Sequence, residues 1–163
     1  MTRVYTVPYQ GTLTNAGGDS DLFYPKPAAD KPIRLRGFRL CQFSEVGDAQ
    51  EENLRISIIW LPVTVTVGSG GSAVTPVDVD RVQASTAGFT ARCNDTTIAT
   101  TSGTAATLEE LGWNERNTPF EVRWLDEREM PNAANASALV VRCQTTAADD
   151  LSVALTAWVE ELS

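Results

Sequence analysis

Histidine is absent from all 163 residues, and with it the commonest general base, the commonest metal ligand and the one side chain that titrates unperturbed near neutrality. Nucleophilic catalysis through a Ser-His or Cys-His pair is therefore excluded. Lysine is almost missing too: Lys26 and Lys31 stand beside eleven arginines, and against 21 acidic residues the chain carries a net charge of −8. A nucleic-acid binder normally has the opposite sign, so no nucleic-acid partner is expected. The three cysteines, Cys41, Cys93 and Cys143, show no C-x-x-C spacing, which excludes the usual zinc and thiol-exchange motifs and is too few for a disulfide scaffold. They read as small buried hydrophobes, with one disulfide and a spare thiol as the alternative. No apolar run reaches the ~20 residues of a membrane span, and no basic segment precedes an apolar one at the N-terminus. No membrane contact is expected, and synthesis in a cytoplasm without a signal peptide is. No phosphate-binding loop, dinucleotide fingerprint or G-x-S-x-G elbow occurs. The expectation is a protein that is not an enzyme, with no cofactor, no metal and no catalytic residue.

What the chain does have is alternation of apolar and polar residues in short runs separated by Gly, Pro, Asn and Asp, the signature of β-strands. The clearest run is 54–61, in which Leu54, Ile56, Ile58 and Trp60 share one face and Arg55 and Ser57 the other. After Pro62, Val63–Val67 and Val74–Val79 flank Gly68-Ser69-Gly70-Gly71-Ser72 and read as a hairpin with a flexible tip. In segment 33–43 the apolar parity changes at a glycine: Ile33 and Leu35 are odd, Phe38 and Leu40 even. A β-bulge at Gly37 restores a common core face. Further strands are expected at 120–124, 138–143 and 151–159, with weaker ones at 4–9, 88–93 and around Ile98. A capping box, Thr107-Leu108-Glu109-Glu110, followed by Gly112, predicts one short helix near 107–112.

About eight strands in one domain fit an all-β fold, a two-sheet antiparallel sandwich of jelly-roll type. A chain of this length buries about two-thirds of its unfolded surface, enough for one core. Residues 1–32 differ from the rest, with Pro8, Pro25, Pro27 and Pro32 and the tyrosines Tyr5, Tyr9 and Tyr24. They read either as an extended N-terminal arm or edge segment lying against a neighbour, or as a sandwich strand with a long loop. Residues 33–163 form the sandwich domain.

Two features suggest contact with other molecules. Arg34, Arg36, Arg55, Arg123 and Arg142 fall mid-strand on the outward parity, where a guanidinium pairs bidentately with a carboxylate of its own or a neighbouring chain. Among the tryptophans, Trp60 and Trp124 take the core parity, whereas Trp158 faces away from Leu151, Val153 and Leu155, and Trp113 follows the predicted helix stop. Tyr5, Tyr9, Tyr24, Trp113 and Trp158 are therefore the candidate partner-interface residues. The acidic stretch 45–52 holds four carboxylates without the EF-hand spacing and reads as a solvated loop, with calcium as the rival.

The run from Phe38 to Ile56 (FRLCQFSEVGDAQEENLRI), the Gly68–Ser72 loop and Thr75-Pro76-Val77 resemble the small virion structural proteins of tailed bacteriophages, most of all head decoration, or cement, proteins. The resemblance is close over residues 38–77 and one of general style elsewhere. It implies a non-enzymatic β protein assembled inside the host cell on the outer capsid surface. There it would bridge subunits of the major capsid protein, as a dimer or trimer. The alternative reading, motivated by Trp113 and Trp158, is a carbohydrate- or receptor-binding module of a tail fibre or bacterial protein. A hydrolase working through paired carboxylates is the third.

Overall fold

The computed structural model describes residues 2–15, 17–44, 51–117 and 119–162. Its strands, in chain order, are β1 (Arg3–Leu13), β2 (Ser20–Lys26), β3 (Ile33–Gln42), β4 (Asn53–Leu61), β5 (Val65–Thr66), β6 (Ser72–Val74), β7 (Val77–Asp78), β8 (Thr90–Asp95), β9 (Thr100–Thr101), β10 (Ala106–Asn114), β11 (Phe120–Arg123), β12 (Asn132–Ala133), β13 (Ala138–Cys143) and β14 (Leu151–Glu161). Eight of these are six residues or longer, which is the number the alternation pattern predicts. The fold is all-β. Two antiparallel six-stranded sheets pack as a sandwich, and β5 and β9 form a separate two-stranded ribbon.

The first sheet has the order β11-β3-β14-β1-β7, with β12 alongside β3; the second has the order β10-β4-β13-β2-β8-β6. These orders mirror each other. Strands that follow one another in the chain, β1 and β2, β3 and β4, β7 and β8, β10 and β11, β13 and β14, occupy matching places in opposite layers. Each long stretch of chain thus crosses from one sheet to the other and keeps the same neighbours in both.

Between the layers lies one core, including Tyr5, Val7, Phe23, Leu35, Phe38, Leu40, Ile56, Ile58, Trp113, Leu139, Val141, Val153, Leu155 and Val159. The Gly37 bulge is present: Trp158 pairs with Gly37 and Val159 with Leu35, which leaves Arg36 as the extra residue. Ile33, Leu35, Phe38 and Leu40 are consequently all buried. A Cβ on residue 37 would stand 2.4 Å from the Val122 carbonyl oxygen, so the close approach of β11 also requires glycine there.

Two expectations are corrected, and one open alternative finds its place. Residues 106–114 form strand β10 and not a helix near 107–112, and no helix occurs among the described residues. Leu108 and Leu111 stand at helical spacing, but the segment fills the edge of β4, and that pairing prevails over the capping box, with a bulge between Thr107 and Glu109. Of the two readings left open for residues 1–32, β1 and β2 fit the one that makes them strands of the sandwich joined by a loop. Strand β1 pairs with β14 over eleven residues, and β2 stands between β13 and β8. β1 is an edge for part of its length, because β7 pairs only with Tyr5 and Thr6. Pro8 lies beyond that pairing, where its missing N–H leaves no ladder bond unmade. Finally, the two sides of the Gly68–Ser72 loop do not pair with each other. β5 pairs with β9 and β6 with β8, and the loop is pinned by Gly71 N–H to Asp95 and by mutual Ser69–Thr97 backbone bonds.

That ribbon closes the outer face of the second sheet. Ala99 and Val65 pack on Tyr24, Ile59, Leu61, Ala138 and Val140 to form a second, smaller core. At its margin lies a buried ionic network. Arg142 Nε donates to Asp21 at 2.6 Å, Asp21 also accepts from the Ala99 N–H at 2.6 Å, and Arg142 Nη2 donates to the Ala99 carbonyl at 2.9 Å. Beside it Arg92 forks onto Asp95 at 2.8 and 2.6 Å. Arg142, expected to project outward, does take the outward side of β13 but is roofed over by residues of the β5–β9 segment.

Candidate interaction face

Among the described residues no such ribbon covers the outer face of the first sheet, although Glu160 at its end is buried. The bulge sets Arg34, Arg36 and Arg39 together on it, and antiparallel pairing brings Arg123 of β11 beside Gly37 and Trp158 of β14 across from it. The Arg123 guanidinium stacks on the Trp158 ring at 4.0 Å from the centroid, with that of Arg39 at 5.7 Å. Glu121 joins the two arginines, accepting from Arg39 at 2.6 Å and from Arg123 at 2.5 Å. Those two bonds, from Arg39 first and Arg123 second, hold the Glu121 carboxyl below the usual carboxylate range. Arg34 pairs with Glu127 at 2.9 Å.

Next to this array Val4, Arg36, Arg123, Trp124, Leu125 and Trp158 line an open cavity of about 240 Å³. Leu125 is 93% exposed. Val77 and Val79 extend the apolar strip, Val77 opposite Thr6 and Val79 bonded through its N–H to the Val4 carbonyl. Arginine and tryptophan stacked beside exposed aliphatics is the composition that concentrates binding energy in protein interfaces, because each offers large contact area together with a polar end.

The sequence-predicted interface residues do not gather here. Tyr5 is fully buried, packed edge-on to Phe89 at 5.6 Å, with its hydroxyl 2.9 Å from that of Ser85. Tyr24 lies in the small outer core; its hydroxyl has no hydrogen-bond partner among the described residues, and burial, with Asp21 and Asp95 nearby, pushes its pKa up to about 12. Trp113 is fully buried, since β10 places it opposite Leu54 on the core side. Tyr9 is half-buried against the main core. Only Trp158 belongs to the open face. Trp60 and Trp124, expected in the core, are half-buried and pack against it.

Leu125, Val4 and Val79 were not singled out, and neither was Arg39. The shift of parity at Gly37 was the signal for Arg39, since it carries the outward side from even to odd residues. The cysteines are free; Cys93 and Cys143 are buried, and burial pushes the Cys93 thiol up to about 12. Most of the acidic stretch considered for calcium, residues 45–50, lies outside the described residues. Glu51 accepts from the Asn114 side-chain amide at 2.5 Å and Glu52 from the Ala148 N–H at 2.6 Å, so both serve the protein's own loops. No protein-family model, curated protein or solved structure matches the chain.

Proposed function

We propose that the chain is a non-enzymatic structural protein of a tailed-phage virion, one that decorates and stabilises the outer capsid surface by bridging subunits of the major capsid protein. The observation that carries this reading is the outer face of the first sheet, open among the described residues, where Trp158, Arg36, Arg123 and Leu125 line a shallow docking surface. Two further features support it. The mirrored strand order, β1-β14-β3-β11 facing β2-β13-β4-β10, supports a jelly-roll reading of the sandwich, and the 38–77 segment resembles head decoration proteins. A partner presenting carboxylates around an apolar centre fits the face, with Arg36 available because it makes no ion pair or hydrogen bond through its side chain among the described residues. Binding to assembled shells and not to free subunits stabilises the shell by linkage, and many copies on a lattice turn weak contacts into avid ones.

The sugar-platform alternative loses its motivation, since Trp113 is buried and Arg123 occupies one face of Trp158. The test is to purify particles of the phage that carries this chain and locate the protein by imaging. It should sit on heads, and Trp158→Ala with Arg36→Glu should remain folded yet leave heads bare. Absence from heads, presence only in tails, or undiminished decoration by the double variant would refute the assignment.

A further inference from the structure

Two features on opposite edges of the sandwich fit each other. On one edge β10, β12 and the segment after it enclose an open groove of about 730 Å³, lined by Trp60, Val63, Leu108, Met130, Glu109 and Glu129 among others. Val63 and Leu108 are among the few large hydrophobic side chains left exposed. Glu109 and Glu129 make no ion pair among the described residues, and no basic residue lines the groove, so it holds two uncompensated negative charges above an apolar floor.

On the other edge, beyond β7, the loop from Asp78 to Thr86 projects as a knob. Its shape is fixed from within. The buried Asp78 carboxylate accepts from Arg3 at 2.8 Å, the Ser85 N–H at 2.9 Å and the Asp80 N–H at 3.0 Å, while Asp80 Oδ1 turns back to the N–H groups of Val82 and Gln83 at 3.0 and 3.1 Å. The side chains this frame holds outward are Val82, 92% exposed, and Arg81, exposed and unpaired among the described residues. A loop pinned in place while presenting an aliphatic side chain and a cation has little ordering entropy left to lose on binding.

We propose that the occupant of the groove is the Asp78–Thr86 knob of a second copy, with Val82 on the floor between Leu108 and Val63 and Arg81 between Glu109 and Glu129. Arg81 is complementary to the two groove carboxylates, while Asp80 beside it is turned back onto the Val82 and Gln83 N–H groups; on a chain of net charge −8 Arg81 is a cation without an ion pair among the described residues. β7 and β11 end the first sheet at opposite sides, as β6 and β10 end the second. Knob and groove therefore join copies side by side and head to tail, an arrangement that closes into a ring or continues as a chain. The contact uses neither Trp158 nor Arg36, so it stands or falls separately from the docking face.

Sedimentation velocity on the full chain tests it. Wild type should associate with concentration, and Val82→Asp and the pair Glu109→Lys/Glu129→Lys should each weaken association at least ~10-fold. Circular dichroism should show both variants folded, since every altered side chain is exposed or half-exposed. The decisive measurement mixes the two variants. A head-to-tail contact leaves one intact knob facing one intact groove, so the mixture should form a capped heterodimer and nothing larger. A wild type that stays monomeric, variants that assemble as well as wild type, or a mixture that remains monomeric would each overturn the proposal.

Discussion

The second sheet covers its outer face with a ribbon of the protein's own chain, whereas among the described residues the first leaves much of its outer face to solvent. Both faces carry arginines on the outward parity of their strands, so the alternation pattern alone makes Arg142 and Arg123 look equivalent. Their surroundings are opposite. Arg142 is desolvated and held by Asp21 and a backbone carbonyl; Arg123 lies over Trp158, half in water. What separates them is the ribbon β5–β9, built from a segment some forty residues away in sequence from either strand it covers at β2 and β13. One sheet face thus contributes to stability and the other remains free for a partner, a division that substitutions on the two sides can test.

The largest effect should come from the covered side. Burial raises the Asp21 pKa above its ordinary value even though Arg142 hydrogen bonds oppose the shift, which means that desolvation outweighs what the pair returns. Removing one partner, as in Asp21→Asn, strands a buried guanidinium and should cost about 3–5 kcal/mol. Replacing both, Asp21→Leu with Arg142→Met, should restore part of that loss, because no charge is left unpaired although the Ala99 N–H and carbonyl lose their side-chain partners. Urea unfolding of the single and double variants measures both. A single variant within ~1 kcal/mol of wild type would show that the ribbon does not seal the pair from water, and the contrast between the faces would disappear.

Much of this architecture was legible because strand alternation is a local property. The runs at 54–61, 138–143 and 151–159 are strands, and the parity change at Gly37 correctly indicates a bulge. The failures share a physical cause, since each depends on pairing between distant segments. Thr107-Leu108-Glu109-Glu110 satisfies the local rule for a helix start, yet β4 had a free edge that β10 fills. Pro25 looks incompatible with a strand, whereas Pro8 falls within the strand expected at 4–9. Pro8 lies where β1 has lost its β7 partner, and Pro25 beyond the residues of β2 that pair with β13. Trp113 went from candidate surface residue to core for the same reason, because its side of the chain is set by the β10–β4 register. Of the open face, the outward arginines and Trp158 were readable from parity; that nothing covers them was not.

A smaller effect concerns Tyr24, whose buried hydroxyl lacks a partner among the described residues. Tyr24→Phe removes a polar group that burial penalises and should stabilise the fold by about 1 kcal/mol. The sign of its pH dependence follows from the raised pKa. Between pH 10, where the hydroxyl ionises in the unfolded chain, and about 12, where it ionises in the fold, the native state holds the proton more tightly. Stability should therefore fall as pH rises through that window, and less steeply in Tyr24→Phe than in wild type. Parallel slopes would mean that Tyr24 is solvated and the small core open.

The least effect on stability should come from the open face. Arg123→Ala removes one cation from the Trp158 ring and one donor from Glu121, both half in solvent, where a cation–π contact contributes at most about 1 kcal/mol and an exposed ion pair less. The contribution involving Glu121 should shrink as pH falls through its lowered pKa, since protonation removes the charge that Arg39 and Arg123 hold, and it should shrink again in high salt. The informative comparison is between stability and attachment in this one variant. An interface residue can be nearly silent in unfolding and still dominate binding, because its contacts form only with the partner present. A loss of several kcal/mol on Arg123→Ala would instead make the array over Trp158 a structural brace of the first sheet, and the docking surface would have to be sought elsewhere.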